Sequence, residues 1–141
     1  MLICTFFGHW DCPESVKPKL KKILIDLIEE NREVMFYVGN QGRFDAMALR
    51  VIQELKKIYP QTKYAVVLAY FPQAEMEYKD TILPEGIETV PKRFAISYRN
   101  AWMLKKSCCV VAFTTHDWGG AAKYVQMAER QNKRIIRIEE D

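Results

Sequence analysis

Val34-Met35-Phe36-Tyr37-Val38-Gly39-Asn40-Gln41-Gly42-Arg43-Phe44-Asp45 is the stretch that decides how this 141-residue chain folds. An apolar run stops at Gly39, and an amphipathic pattern starts near Phe44 and reaches Ile58, with Met47, Val51 and Leu55 four apart on one side. That order predicts a strand, a tight glycine turn and a helix. Gly39 and Gly42 would let a ligand approach the main chain, while the helix directs unpaired N–H groups at the same place. Such a turn suits an anion, most often a phosphate. It is also the simplest way to join strand to helix, and a G-x-x-G alone does not choose between the two. A second glycine turn, Trp118-Gly119-Gly120-Ala121, near the other end of the chain favours the phosphate.

The same alternation extends in both directions. Strands are predicted over residues 2–7, 34–38, 64–70, 108–114 and 134–138. Helices are predicted from Glu14 or Ser15 to about residue 31, over 43–58 and 92–106, and from the second glycine turn to about residue 132. The first and third strands read as covered on both faces. Phe94, Tyr98, Trp102 and Leu104 are the candidate core contacts of the third helix. Residues 72–92 are harder to place: 87–90 is short and β-prone, consistent with a further strand, whereas Pro84 and Gly86 argue for a turn. Strands alternating with helices through short connections imply one α/β domain over 1–141, a mostly parallel sheet with helices on both faces. Its strand-to-helix loops, at Gly8, Gly39, Tyr70 and Gly119, would then share one edge, where ligands bind in such sheets.

Composition narrows the class. Hydrophobic residues at 49% and charged residues at 28% fit a soluble globular protein, and no apolar run approaches the roughly 18 residues of a membrane span. The first residues read as a strand rather than a leader, so a cytoplasmic location is expected. The net charge is +3, from 21 basic and 18 acidic residues spread along the chain, and this makes nucleic acid an unlikely partner. Lys17, Lys19, Lys21 and Lys22 read as the wet face of the first helix. Cys4, Cys12, Cys108 and Cys109 lack C-x-x-C spacing, and no disulfide is expected.

Several side chains could carry chemistry. Asp45, in the first turn of the second helix, could brace the glycine loop by accepting its N–H groups, or touch a ligand. Arg99 could grip a phosphate in a forked geometry or serve in an ordinary ion pair, with Asn100 beside it. His9 and His116 occupy loops at the same edge and suit a brace, a binder or a general acid or base. With Cys12 they would make only three metal ligands, so no metal site is expected. Trp10, Tyr70, Phe71 and Trp118 gather in these loops and could stack on a base, close a pocket or meet a second copy.

Four ordered stretches, Phe7-Gly8-His9, Val38 to Asp45, Tyr98-Arg99-Asn100-Ala101-Trp102-Met103 and Trp118-Gly119-Gly120-Ala121, resemble the YspA/YpsA-like family of the SLOG superfamily. The superfamily includes the LOG-type nucleoside-monophosphate phosphoribohydrolases and the DNA-processing protein A group. The resemblance implies a Rossmann-like three-layer fold. It also implies a first phosphate or ribose contact at Gly39 and Gly42, and a second at Gly119-Gly120. Ala121 stands where relatives carry a threonine, and the glutamate that LOG-type enzymes use after that turn has no counterpart in Ala121-Ala122-Lys123-Tyr124-Val125. Arg43 adds a residue to the usual G-x-D spacing before Asp45. The resulting expectation is a binding protein, as sensor or regulatory module, for a nucleotide or phosphorylated nucleoside. Its ligand-binding set would be Gly8, His9, Gly39, Asn40, Gln41, Gly42, Asp45, Arg99, Asn100, His116, Trp118, Gly119, Gly120 and Ala121. No cofactor is called for, and a homodimer is common for such folds. The alternatives are a hydrolase of nucleoside monophosphates, drawing its carboxylate from Asp45, Glu75, Glu77 or Asp117, and single-stranded DNA binding.

Overall fold

Six strands, β1 (Leu2–Gly8), β2 (Val34–Val38), β3 (Thr62–Val67), β4 (Thr81–Ile82), β5 (Cys109–Phe113) and β6 (Arg134–Arg137), form one sheet in the computed structural model, which describes residues 1–72 and 79–139. Their order is β4-β3-β2-β1-β5-β6, and every neighbouring pair is parallel. Parallel pairing requires a crossover between strands. Helices α1 (Lys17–Glu30), α2 (Gly42–Ile58), α3 (Ala95–Lys106) and α4 (Gly120–Arg130) supply most of these. The fold is a Rossmann-like α/β sandwich.

Each face of the sheet has its own core, because alternate residues of a strand point to opposite sides. Cys4, Phe6, Phe36, Val111 and Phe113 pack against Leu20, Leu24 and Ile28 of α1 and Phe44, Met47, Val51 and Leu55 of α2. On the other face Phe7, Val67, Val110 and Ala112 meet Met103 and Leu104 of α3 and Tyr124, Val125 and Ala128 of α4. Among the described residues no helix is long and apolar enough to cross a membrane.

Three expectations need correction. Residues Ile87–Thr89 form a short 3-10 helix rather than a strand, with Thr89 and Val90 N–H bonded back to Gly86 and Ile87 carbonyls, and the edge strand is instead Thr81–Ile82. In α3 the inward positions are Ala95, Arg99, Met103 and Leu104, while Phe94 is 51% and Tyr98 37% exposed. Only Trp102 of the expected aromatic contacts packs on the sheet, edge-on to Tyr37 at 5.2 Å. The helix is rotated so that a guanidinium, not an aromatic stripe, points at the sheet. β3 is not covered on both faces along its length either, since Lys63 is exposed and Tyr64 and Val66 are half-buried.

The chain leaves β1 toward β2 and returns from α3 to β5 on the other side of β1. The order therefore reverses between β1 and β5, and a crevice opens beyond their C-terminal ends.

Candidate functional site

A groove of about 310 Å³ occupies that crevice. It is lined by Gly8, His9, Trp10 and Asp11 after β1, by Gln41 and Asp45, by Ile96, Arg99, Asn100 and Met103 of α3, and by His116 and Trp118–Ala121. Every residue expected to bind ligand borders it except Gly39, Asn40 and Gly42. Asn40 instead lines a neighbouring cleft with Leu68, Tyr70 and Phe71. Gln41 and Gly120 thus share one groove although their turns lie far apart in sequence.

The first glycine turn is closed from within. Gln41 N–H donates to Asp45 Oδ2 at 2.9 Å, and Arg43 N–H donates to the Trp10 carbonyl at 2.8 Å. Gly42 has φ +85° and faces Trp10, whose Cα lies 2.6 Å from where a Cβ would stand. The backbone there is left-handed, which disfavours any side chain. Gly39 rests on Asp45 and Arg99. The start of α2, the stretch that reads most like an anion cradle, has two of its donors already taken by protein oxygens.

Asp45 is 8% exposed. Burial pushes its carboxyl up to about 6, against the opposing pull of the Gln41 N–H and the Arg99 charge. Arg99 is 2% exposed and is held by Nη1 to Asn40 Oδ1 at 2.9 Å and by Nε to Asn100 Oδ1 at 3.1 Å. Its burial lowers its own pKa, partly countered by Asp45.

The start of α4 is open by contrast. Gly119, at φ +93°, turns the chain into the helix, no side chain caps it, and nothing lies within 4 Å of the Cβ position of Gly120. First-turn amides lack partners within a helix, and those of Gly120, Ala121 and Ala122 find none elsewhere among the described residues.

Next to them stands a ladder of rings. His9 stacks on His116, and His116 on Trp118, each at 3.8 Å between centroids and within 19° of parallel. Thr115 N–H donates to His9 Nε2 at 2.9 Å, so the neutral ring carries its hydrogen on Nδ1. His116 Nδ1 faces the Trp118 carbonyl at 2.9 Å and must donate to it. Burial lowers the His9 pKa, as does His116, while Asp11 opposes them. Among the described residues, Thr62 Oγ1 is the only buried side-chain polar atom without a partner. His9 Nδ1 and Arg99 Nη2, which make no hydrogen bond there, are therefore not sealed in the core, and both residues line the groove. Trp118 and Trp10 are 69% and 72% exposed.

Sequence reasoning missed Asp11, Ile96 and Met103, and it missed the ladder. A signal existed: Gly8 registers with Phe113, so a histidine one residue past β1 comes level with the loop after β5. The two histidine rings lie face to face and do not converge on a metal, and Cys12 is buried with its Sγ at the Pro13 carbonyl. Of the candidate carboxylates among the described residues, Asp45 borders the groove and Asp117 does not. Asp117 lies in a separate cleft with Glu129 and Arg137, and Glu75 and Glu77 fall outside the described residues.

A family model described as the YspA SLOG family matches residues 4–83. Two solved structures share the fold. DNA processing protein A (DprA) from Streptococcus pneumoniae matches at TM-score 0.74 and 14% identity, over 100% of this chain and 51% of that one. The protein of the same name from Helicobacter pylori matches at TM-score 0.68 and 12% identity, over 99% of this chain and 66% of that one. The chain thus spans about half of the first and just under two thirds of the second. No curated protein sequence matches significantly. The Helicobacter structure is described as showing a single-stranded DNA binding mode, which overturns the expectation that nucleic acid is an unlikely partner. A small net charge is a property of the whole surface and excludes nothing about one groove.

Proposed function

Since the chain belongs to the YspA SLOG family, we propose that it is a binding protein for a nucleotide or related phosphorylated nucleoside, held in the groove between β1 and β5. The observation that carries this reading is the uncapped start of α4, whose first amides face the same groove as His9 and the nearly buried Arg99. A helix start offers N–H donors and a positive dipole end to a phosphate. Arg99 adds charge and His9 Nδ1–H a fixed neutral donor. The free face of Trp118, beside Gly119 and Gly120, suits a base or sugar.

Binding ranks ahead of hydrolysis. Among the described residues Asp45 is the one expected carboxylate bordering the groove, and it is engaged with Gln41 under the glycine turn; Asp11, the other carboxylate there, is exposed at its rim. Single-stranded nucleic acid is a second reading, favoured by two exposed indoles bordering an open groove, since bases stack on such rings without sequence preference.

Calorimetric titration with nucleotides and their parent nucleosides tests the proposal. Nucleotides should bind and the nucleosides should bind at least about tenfold more weakly, reflecting the lost phosphate contacts. Equal affinity for both, or no binding by either, would contradict it.

A further inference from the structure

The binding reading leaves open which kind of phosphate fits, and the charge of the groove addresses that. Among the described residues its lining contains one Arg or Lys, Arg99, and two carboxylates, Asp11 and Asp45. Arg99 and Asp45 act on each other electrostatically, so much of the guanidinium charge is offset beneath Gly39. The remaining side-chain donors include the His9 ring. His9 cannot take a second proton without giving up the Thr115 N–H bond to Nε2. His116 stacks on His9 and donates from Nδ1 to the Trp118 carbonyl. The start of α4 contributes about half a positive charge. Together these can balance one negative charge at most, whereas a terminal phosphate carries about −1.5 to −2 at neutral pH.

A second observation points the same way. Trp10 sits on the α2 side, its backbone against Gly42, and Trp118 sits on the α4 side, stacked on His116. Two exposed rings bordering one groove suit a phosphate with a substituent on each of two oxygens. A terminal phosphate has only one.

From this we infer that the groove selects a singly charged phosphodiester, whether in a cyclic nucleotide, a dinucleotide or a strand backbone, over a terminal phosphate monoester. The α4 amides and His9 Nδ1–H hold the non-bridging oxygens, and His9, more than nine-tenths buried with an unpartnered nitrogen open to the groove, is the second anchor beside the helix start. The inference rests on the binding reading above.

The test is calorimetric titration at pH 7.5 with AMP, cyclic AMP, the dinucleotide ApA and a short oligothymidylate lacking terminal phosphates. At least one diester should bind about tenfold or more tighter than AMP, as one uncompensated charge in a half-buried groove implies. Asp11→Asn, at an exposed position, and Asp45→Asn, checked for an intact thermal transition, should each narrow the gap by strengthening AMP. The source shows in the pattern: a small-molecule site takes ApA or cyclic AMP as tightly as the oligonucleotide, and a strand-binding site favours the oligonucleotide with steep salt dependence. AMP binding as tightly as every diester would overturn this inference and leave the nucleotide reading standing. Binding by none of the four would overturn both.

Discussion

Replacing Asp45 by asparagine should change how stability depends on pH, by an amount the structure sets. The carboxyl is nearly buried, and burial outweighs the Gln41 N–H and Arg99 in moving it from its ordinary 3.8 to about 6. The folded protein therefore holds this proton more tightly than the unfolded chain. Its contribution to stability is complete below pH 3.8 and is lost as pH rises through about 6. At about 1.36 kcal/mol per pH unit, the loss between those limits is about 3 kcal/mol. Asparagine keeps an oxygen for the Gln41 N–H and has no proton to lose. Urea unfolding of both proteins at intervals from pH 4 to 7.5 gives the comparison directly. The variant should gain on the parent by about 2.5 kcal/mol across that range, which begins just above 3.8. A difference that stays constant with pH would mean that Asp45 is not desolvated beneath the glycine turn, and the description of a closed first turn would be wrong.

Other consequences can be checked separately. Gly42→Ala places a methyl 2.6 Å from Trp10 Cα at a left-handed backbone position, and should cost about 1–3 kcal/mol in unfolding measurements. Arg99→Met leaves Asp45 buried without its cation and should cost about 3–5 kcal/mol above pH 6, with a smaller loss in acid where Asp45 is neutral. Nitrogen-detected NMR of His9 should show the hydrogen on Nδ1. Because burial lowers its pKa, the stability it contributes is present above the ordinary histidine range and falls as pH drops through its folded value. Trp118→Ala should weaken nucleotide binding by about 1–3 kcal/mol while leaving the melting transition nearly in place, since the indole is 69% exposed.

The fold was legible because its signals are local. The apolar run ending at Gly39 and the four-residue period of Met47, Val51 and Leu55 specify a strand and a helix with no reference to the rest of the chain. The rotation of α3 was not legible, because aromatic residues normally mark a buried face and here a buried arginine displaces them in service of the groove. The short apolar run at Ile87 satisfied β-propensity, yet its N–H groups bond backward within a turn, a choice made by tertiary context. Within the site, the two glycine turns look alike in sequence. What separates them is which donors are already used, and that depends on Trp10 and Asp45 reaching the first turn. The missing threonine at Ala121 belongs to the same contrast, since α4 starts with no side-chain cap. The ring ladder joins residues more than a hundred positions apart and is visible only once β1 and β5 are paired.

Amide NMR with isotopically labelled protein, titrated with cyclic AMP or ApA, reports most directly on where the phosphate sits. The amides of Gly120 and Ala121 should move farthest as ligand is added, while those of Gln41 and Arg43, held by Asp45 and Trp10, should move little. Large changes at Gln41 and Arg43 with Gly120 and Ala121 unmoved would place the anion on the first glycine turn and contradict the account.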